Sequence, residues 1–117
     1  MAGNAGFMGG SSAPAPDDAA RKILRAIDIR TGKNVWELPQ TGPGTSRGGT
    51  LTTASGLVFF CEDTDYFLAV DAETGKPLWR FPTNNVWRAS PMTYMFDGKQ
   101  HVAIASGANV ISFALVE

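Results

Sequence analysis

The stretch AIDIRTGKNVW at residues 26–36 recurs as AVDAETGKPLW at residues 69–79. The two copies keep Ala, Asp, Thr-Gly-Lys and Trp in matching positions, 43 residues apart. Self-similarity at a fixed period is the sequence signature of a repeat architecture, in which each copy builds one structural unit. The repeat therefore predicts that the chain contains consecutive units of similar structure.

Short runs rich in Val, Ile, Phe, Leu and Thr follow one another from Ile23 onward and are separated by turn residues. This pattern of short apolar runs separated by turn residues is typical of an all-β protein. No segment carries sustained helical periodicity, so we expect little helix. The predicted strands cover residues 23–28, 34–38, 49–53, 57–61, 66–70, 77–81, 91–96, 101–105 and 109–115.

The turns agree with this strand pattern. RTGK and ETGK supply Gly32 and Gly75 for positive backbone angles, and DGK at residues 97–99 is a hairpin signal. Asp28 and Asp71 each precede the threonine of their turn by three residues, a spacing at which a carboxylate accepts hydrogen bonds from the turn. Because both aspartates hold the same repeat position, a structural role is favoured over a pair of catalytic carboxylates.

Grouped by the repeat, the strands form a partial unit of two, a full unit of four and a final unit of three. A period of about 40–45 residues with four strands per period is typical of a β-propeller blade. We therefore predict an all-β, partial β-propeller of about two and a quarter four-stranded antiparallel blades over residues 23–117. Residues 1–22 are rich in Gly, Ala and Pro and are predicted to be an irregular loop or tail.

Composition excludes several classes of function. Ten Lys and Arg against eleven Asp and Glu give a net charge of −1, so no basic surface is expected to attract nucleic acid. One cysteine, Cys61, and one histidine, His101, do not make a zinc or copper cluster. They are interpreted as a small buried residue and a residue on a strand surface. No apolar stretch approaches the roughly 20 residues of a membrane helix, and no signal-peptide pattern is present.

The chain resembles the pyrroloquinoline quinone (PQQ) dependent dehydrogenases, quinoproteins that oxidise alcohols and sugars. The resemblance runs from about Ile23 to Glu117 and rests on LRAIDIRTGKNVWE, RGGTLTTASGLVFF, AVDAETGKPLWRF and WRASPMTYMFDGKQHVAIASGANVISFAL. These strings are similar to the last blades of the family's catalytic propeller. The resemblance implies PQQ as cofactor, a small alcohol or sugar as substrate of the full-length enzyme, and a periplasmic location.

The same resemblance limits what this chain supplies. In the family, the calcium ligands, the catalytic aspartate and the vicinal disulfide that covers the quinone lie in earlier blades of an eight-bladed propeller. No position of this chain matches any of them, so the sequence offers no catalytic and no metal-binding residue. The calcium of the full-length family is therefore expected to have no ligands here.

The alternation of links in a blade predicts which loops share a face. Residues 46–49, 62–65, 84–90 and 106–109 fall on one face and the Thr-Gly-Lys turns on the other, and the resemblance places the quinone on the first. Gly48 and Gly49 permit close backbone approach to a flat ring. Candidate cofactor-binding residues are Arg47, Gly48, Gly49, Arg88, Gly107, Ala108 and Asn109.

Each candidate has a plainer reading. Many family members carry Trp where this chain has Arg47, and its guanidinium either pairs with a quinone carboxylate or has no specific role. Gly107, Ala108 and Asn109 match the last cofactor-proximal loop of the family or form a plain strand connection. Trp87 and Arg88 stand outside the repeated tryptophan position, so a special role is open to them, although Trp87 also suits the cap of the propeller side.

Two functions remain at this point. The first is a C-terminal part of a PQQ-dependent dehydrogenase that is inactive alone, because catalysis requires the remaining propeller blades. The second is a non-catalytic propeller-repeat scaffold or binding module that self-associates. Two and a quarter blades leave apolar sheet faces and strand edges uncovered, which favours association with the remaining blades or with further copies.

Overall fold

The computed structural model describes residues 22–40, 48–62, 66–82, 85 and 89–116. These residues form nine β-strands and no helix. The strands are β1 (Lys22–Ile27), β2 (Asn34–Gln40), β3 (Leu51–Thr52), β4 (Leu57–Glu62), β5 (Tyr66–Asp71), β6 (Pro77–Pro82), β7 (Met92–Phe96), β8 (Lys99–Ser106) and β9 (Asn109–Ala114). The predicted tail at residues 1–22 lies outside the described part of the chain except for Lys22, which begins β1.

The strands build three antiparallel sheets of two, four and three strands, in the orders β1-β2, β3-β4-β5-β6 and β7-β8-β9. All nine predicted strands are confirmed, with ends that differ by no more than two residues. The grouping predicted from the repeat is confirmed as well. In the described residues there is no helix long and apolar enough to cross a membrane.

The second sheet, β3 to β6, is covered on both faces. Successive side chains of a strand point to opposite faces, and the central strands β4 and β5 carry apolar residues at nearly every position. Phe60, Leu68 and Val70 pack toward Leu24 and Trp36 of the first sheet. The opposite face packs against the third sheet, so the second sheet has the continuous apolar sequence of a sheet buried on both sides.

The interface between the second and third sheets is rich in aromatic side chains. Phe67 is fully buried and packs with Cys61, Val102 and Ile104. Phe113 of β9 lies 5.6 Å from Phe67 between ring centroids. Cys61 is buried, which confirms its interpretation as a small buried residue. Burial also raises the pKa of its thiol to about 12.

The repeated Thr-Gly-Lys turns close the hairpins β1-β2 and β5-β6. Gly32 and Gly75 adopt φ of 69° and 73°, as predicted. Asp28 Oδ1 accepts the Arg30 N–H at 2.8 Å, and Asp71 Oδ1 accepts the N–H and the hydroxyl of Thr74 at 2.8 and 2.9 Å. The aspartates therefore have the predicted hydrogen-bonding role in the turns.

Candidate functional site

The antiparallel strands end at two opposite rims. The rim formed by the hairpin turns at residues 28–33, 53–57, 71–76 and 97–98 is called here the turn rim. At the other rim lie the ends of β2, β4 and β8 and the residues around positions 48–49, 89–90 and 107–108; this is called the loop rim. The loop rim holds every described member of the predicted cofactor-binding set.

Three separate stretches meet at the loop rim. The Gly49 N–H donates to Ser90 Oγ at 2.8 Å. A Cβ on Gly48 would lie 2.7 Å from the Ala89 carbonyl oxygen, and one on Gly107 would lie 3.4 Å from the Asn85 side chain. The described parts of the predicted 46–49, 84–90 and 106–109 loops are therefore neighbours.

These contacts supply a structural reason for the two glycines at positions 48 and 49. A Cβ at Gly49 would lie 2.8 Å from Ser90 Oγ, so both positions are closed to side chains by the neighbouring strand connection. The predicted close approach exists, and its partner in this chain is the backbone and side chain at 89–90. Glycine at these positions does not by itself indicate a ring-shaped ligand.

Gly107 and Ala108 form the turn between β8 and β9, and Asn109 begins β9 opposite Ser106. Gly107 has φ of 58°, a conformation that favours glycine. All three residues are exposed at the loop rim. They are open to a ligand approaching this rim.

Arg47 and Arg88, the two charged candidates, lie outside the described residues, and so do Trp87 and the acidic pair Asp63 and Asp65. The structure therefore describes the small and polar members of the candidate site, and the positions of its guanidinium groups stay predictions.

Three buried oxygens at the loop rim were missed by the sequence reasoning. Gln40 Oε1, Glu62 Oε2 and Ser106 Oγ have no hydrogen-bond partner within the described part of the chain. Each belongs to the last residue of a strand, β2, β4 or β8. An unsatisfied buried polar atom costs about 1–3 kcal/mol, so Gln40 Oε1 and Ser106 Oγ call for a partner such as water or further protein, whereas Glu62 Oε2 has an ion-pair partner described next. Their signal in the sequence is a single polar residue closing each apolar run.

Glu62 is the most unusual of the three because it is a charged residue that is only 6% exposed. Arg80 Nη2 approaches Glu62 Oε2 at 3.5 Å, and the Arg80 guanidinium carbon stands 3.5 Å above the Tyr66 ring centroid. A cation over an aromatic face is attracted by the ring quadrupole. The arrangement holds Arg80 on the face of the second sheet that packs toward the first sheet, beside Glu62 and Tyr66 near the loop rim.

The described residues fit part of what PQQ requires. The loop rim offers small residues at 48–49 and exposed residues at 107–109, which leave room for one edge of a flat group. Within the described ranges there is no group of three or more His, Cys, Asp and Glu side chains placed to hold a metal ion.

Comparison with known proteins agrees with this geometry. Residues 38–102 match the family model described as "PQQ: Glucose/ethanol/alcohol dehydrogenase, beta-propeller domain". The three sheets are blades of a β-propeller, and the chain belongs to the family of PQQ-dependent dehydrogenase propellers.

Several relatives share substantial identity. The 1-butanol dehydrogenase (quinone) of Thauera butanivorans is 44% identical over 85 residues, which cover 73% of this chain and 13% of the relative. The methanol dehydrogenase [cytochrome c] subunit 1 of Paracoccus denitrificans is 35% identical over 98 residues, covering 80% and 15%. This chain therefore spans about one seventh of the length of the curated relatives it matches.

Solved structures of quinoprotein dehydrogenases also resemble this chain. The quinohemoprotein alcohol dehydrogenase of Comamonas testosteroni superposes with a TM-score of 0.73 at 36% identity, covering 84% of this chain and 14% of that one. A europium-containing methanol dehydrogenase superposes with a TM-score of 0.70 at 35% identity, covering 78% and 16%. The sheets of this chain are thus arranged as in part of those enzymes.

Proposed function

We propose that this chain is a C-terminal part of the propeller of a PQQ-dependent dehydrogenase that oxidises alcohols or sugars, and that it is inactive alone. The proposal rests on the convergence of Gly48–Gly49, Asn85, Ala89–Ser90 and Gly107 at the loop rim of a chain that belongs to this family. The propeller part is residues 23–117 together with Lys22, which begins β1, and residues 1–21 are a tail. A periplasmic location follows from the resemblance.

The role of this chain is to supply one wall of the cofactor site. PQQ bound in a complete enzyme is the electron acceptor for the alcohol carbon. Arg47 and Arg88 would pair with its carboxylates or carbonyl oxygens, because guanidinium groups form strong charge-assisted hydrogen bonds with such oxygens. Gly107, Ala108 and Asn109 would contact its edge through exposed backbone. The substrate base and the calcium ligands come from other blades.

A chimera tests this function directly. Residues of this chain replace the matching 85-residue region of the Thauera butanivorans 1-butanol dehydrogenase (quinone). We expect the chimera to bind PQQ, seen by the absorbance of the purified holoprotein, and to reduce an artificial electron acceptor with a primary alcohol. A chimera that folds but binds no PQQ would contradict the proposal.

Variants of the chimera test the individual residues. Replacing Arg47, Arg88 or Asn109 by Ala should weaken PQQ binding by about tenfold or more for a lost charge-assisted contact. Arg30→Ala is the matched control, because Arg30 is an exposed arginine on the turn rim. Equal PQQ affinity in all four variants would remove these residues from the cofactor site.

The isolated chain is used in a third experiment, which tests whether it is inactive alone. Without the remaining blades, the positioned base and metal are absent, so acid-base and Lewis-acid contributions are lost. Purified chain with PQQ, calcium and primary alcohols or aldoses should give no turnover above that of the free quinone. Turnover by a monomer would show that residues assigned here to structure carry chemistry, with Asp28 and Asp71 the first described residues to test.

Self-association is the second proposal, and a specific observation favours it. The face of the third sheet that points away from the second exposes large apolar side chains: Met92 (58% exposed), Phe96 (67%) and Val110 (77%). Apolar surface of this kind marks interaction sites. The purified chain should elute from a sizing column as a dimer or larger species, and elution as a monomer at high concentration would contradict this.

A further inference from the structure

Three hairpin turns on the turn rim contain an aspartate, and their carboxylates differ in how they are held. Asp28 Oδ1 accepts the Arg30 N–H at 2.8 Å, and Asp71 Oδ1 accepts the N–H and the hydroxyl of Thr74 at 2.8 and 2.9 Å. Within the described part of the chain, the exposed carboxylate of Asp97 has no hydrogen-bond or ion-pair partner. Of the three side chains, that of Asp97 is therefore the one left free to rotate.

Asp97 and Gly98 form the two-residue turn between β7 and β8. Phe96 pairs with Lys99 across the hairpin, and both turn residues have positive φ, 49° for Asp97 and 71° for Gly98. Among the described residues, Asp97 is the one residue other than glycine with a positive φ. The left-handed region crowds the Cβ of an L residue against its own backbone. The turn therefore holds Asp97 in a strained conformation.

The residue that follows the aspartate also differs between the turns. Asp28 precedes Ile29 and Asp71 precedes Ala72, whereas Asp97 precedes Gly98 in the one Asp-Gly pair of the sequence. The backbone nitrogen after an aspartate is placed to attack the side-chain carboxyl carbon, because the ring that closes has five members. A side chain on the following residue hinders this attack, and glycine carries none. No described atom lies within 4 Å of a Cβ built on Gly98, so the approach is open.

We propose that Asp97 is a site of spontaneous isomerisation to isoaspartate. The Gly98 nitrogen bonds to Cγ of the Asp97 carboxyl group, and the nitrogen's proton leaves with the carboxyl hydroxyl as water. The product is a cyclic succinimide. A water molecule then adds to one of its two carbonyl carbons. Breaking the bond from nitrogen to the main-chain carbonyl carbon gives isoaspartate, and breaking the other bond restores aspartate. The reaction is balanced without an oxidant, a reductant or a partner protein.

The strained turn favours this product. In isoaspartate the chain runs through Cβ and Cγ, so the turn gains one backbone atom. A longer turn can join β7 and β8 without holding an L residue at φ of 49°. Hairpin tips open locally at low free-energy cost, which lets the nitrogen reach Cγ without global unfolding. The site lies at the tip of a turn-rim hairpin, so the inference does not rest on the proposed dehydrogenase function.

Ageing of the full chain tests the site. The purified chain and the free peptide MFDGKQH, which copies residues 95–101, are incubated together at neutral pH and body temperature. Peptide mass spectrometry locates isoaspartate, and methyl transfer from S-adenosylmethionine by an isoaspartyl methyltransferase counts it. We expect isoaspartate to accumulate at position 97 at least about tenfold faster than at positions 28 and 71 of the same chain. Equal rates at the three positions would overturn the proposal, and so would accumulation in the peptide with none at position 97 of the chain.

Two variants test the roles of the two turn residues. Asp97→Glu keeps the charge but requires a six-membered ring, so most of the methyl-accepting groups should be lost from the aged chain. Gly98→Ala should slow accumulation at position 97 by about tenfold, and the same change in the free peptide separates this hindrance from any effect on folding. Asp97→Asn is the positive control, because its amide closes the same ring with loss of ammonia. Methyl acceptance that survives Asp97→Glu, or an unchanged rate in the chain and the peptide with alanine, would overturn the proposal.

Discussion

The two interfaces between the sheets are built from one repeat but differ in chemistry and closure. The first joins mainly aliphatic residues, and in it the Trp36 indole packs against the Ala72–Gly75 turn of the second sheet. The second is aromatic and leaves Trp79 beside an open cleft. The difference shows that a repeated residue does not fix its own environment, because its burial depends on what the next sheet places against it, the Ala72–Gly75 turn for Trp36 and the Phe113 ring for Trp79.

The interface between the second and third sheets is stabilised by packing of aromatic rings beside the cleft at Trp79. Phe81 and Phe113 have centroids 4.9 Å apart at 71°, and Trp79 and Phe113 are 5.1 Å apart at 76°. Edge-to-face pairs of this kind add about 0.5–1.5 kcal/mol each beyond area burial. The second interface is therefore expected to hold more of the stability of the chain than the first.

Truncating the centre of the aromatic interface should have the largest effect. Phe67→Ala removes a fully buried ring that touches Phe59, Trp79 and Phe113. We expect a loss of about 3–5 kcal/mol in the free energy of unfolding, measured by urea titration. Phe96→Ala is the control, because Phe96 is 67% exposed, and it should cost about 0.5 kcal/mol or less.

A loss below about 1 kcal/mol for Phe67→Ala would mean that the second and third sheets do not pack together in solution. The comparison between the interfaces would then fail, since the first would be the one that holds the chain together.

The first interface is tested at its turn. Gly75→Ala and Gly32→Ala place a Cβ at equivalent positions with nearly the same φ, 73° and 69°. At Gly32 nothing lies within 4 Å, so the cost is backbone strain of about 1–2 kcal/mol. At Gly75 the new Cβ also meets the Trp36 indole, which should add about 1–3 kcal/mol. Thermal unfolding of the two variants measures the difference, and equal losses would show that Trp36 is not seated on this turn.

The sequence predicted the sheets well because periodicity and turn chemistry are local signals. Gly32, Gly75 and the DGK hairpin punctuate the strands, and each strand was placed within two residues. What the sequence did not reveal is the unequal seating of Trp36 and Trp79. Both end an eleven-residue string with the same Ala, Asp, Thr-Gly-Lys and Trp positions. The difference arises from distant residues, since Trp36 meets the Ala72–Gly75 turn and Trp79 meets the Phe113 ring.

The candidate site also has features that the sequence predicted and features that it did not. The convergence of the loop-rim segments followed from the alternation of links, and the contacts of Gly49 and Gly107 agree with it. The buried oxygens of Gln40, Glu62 and Ser106 did not follow, because a polar residue at a strand end is ordinary in a sequence. Only the sheet packing around those strand ends shows that the oxygens are enclosed.

Cys61 reports directly on the opening of the second interface. It is 3% exposed, so iodoacetamide should react at least about tenfold more slowly with the folded chain than with the chain in urea. Ser55→Cys in a Cys61→Ala background supplies an exposed thiol as control. Rapid labelling of Cys61 in the folded chain would contradict the closed interface.

The Cys61 thiol also makes the stability of the folded chain depend on pH in the alkaline range. Burial raises the folded pKa of Cys61 to about 12 from 9.0, so the protonated thiol favours the folded chain. This contribution is fully present below about pH 9 and is lost as the pH rises toward about 12. Cys61→Ala should remove that part of the alkaline decline in stability, and an unchanged decline would place the titrating group elsewhere.

The smallest expected effect concerns the turn on which Trp36 is seated. The Thr74 hydroxyl, then the Thr74 and Glu73 N–H groups, donate to the Asp71 carboxylate and lower its pKa from 3.8. A lowered folded pKa gives stability that is present above the unfolded value and is lost as the pH falls through the folded one. The wild-type chain should therefore lose stability below about pH 4 more steeply than Asp71→Asn, with Thr74→Val between them.

Trp36 fluorescence should respond over the same pH range, because Ala72 and Gly75 belong to this turn. Identical acid profiles in wild type and Asp71→Asn would show that the carboxylate does not hold the turn, and the contrast between the two tryptophans would then rest on the glycine alone.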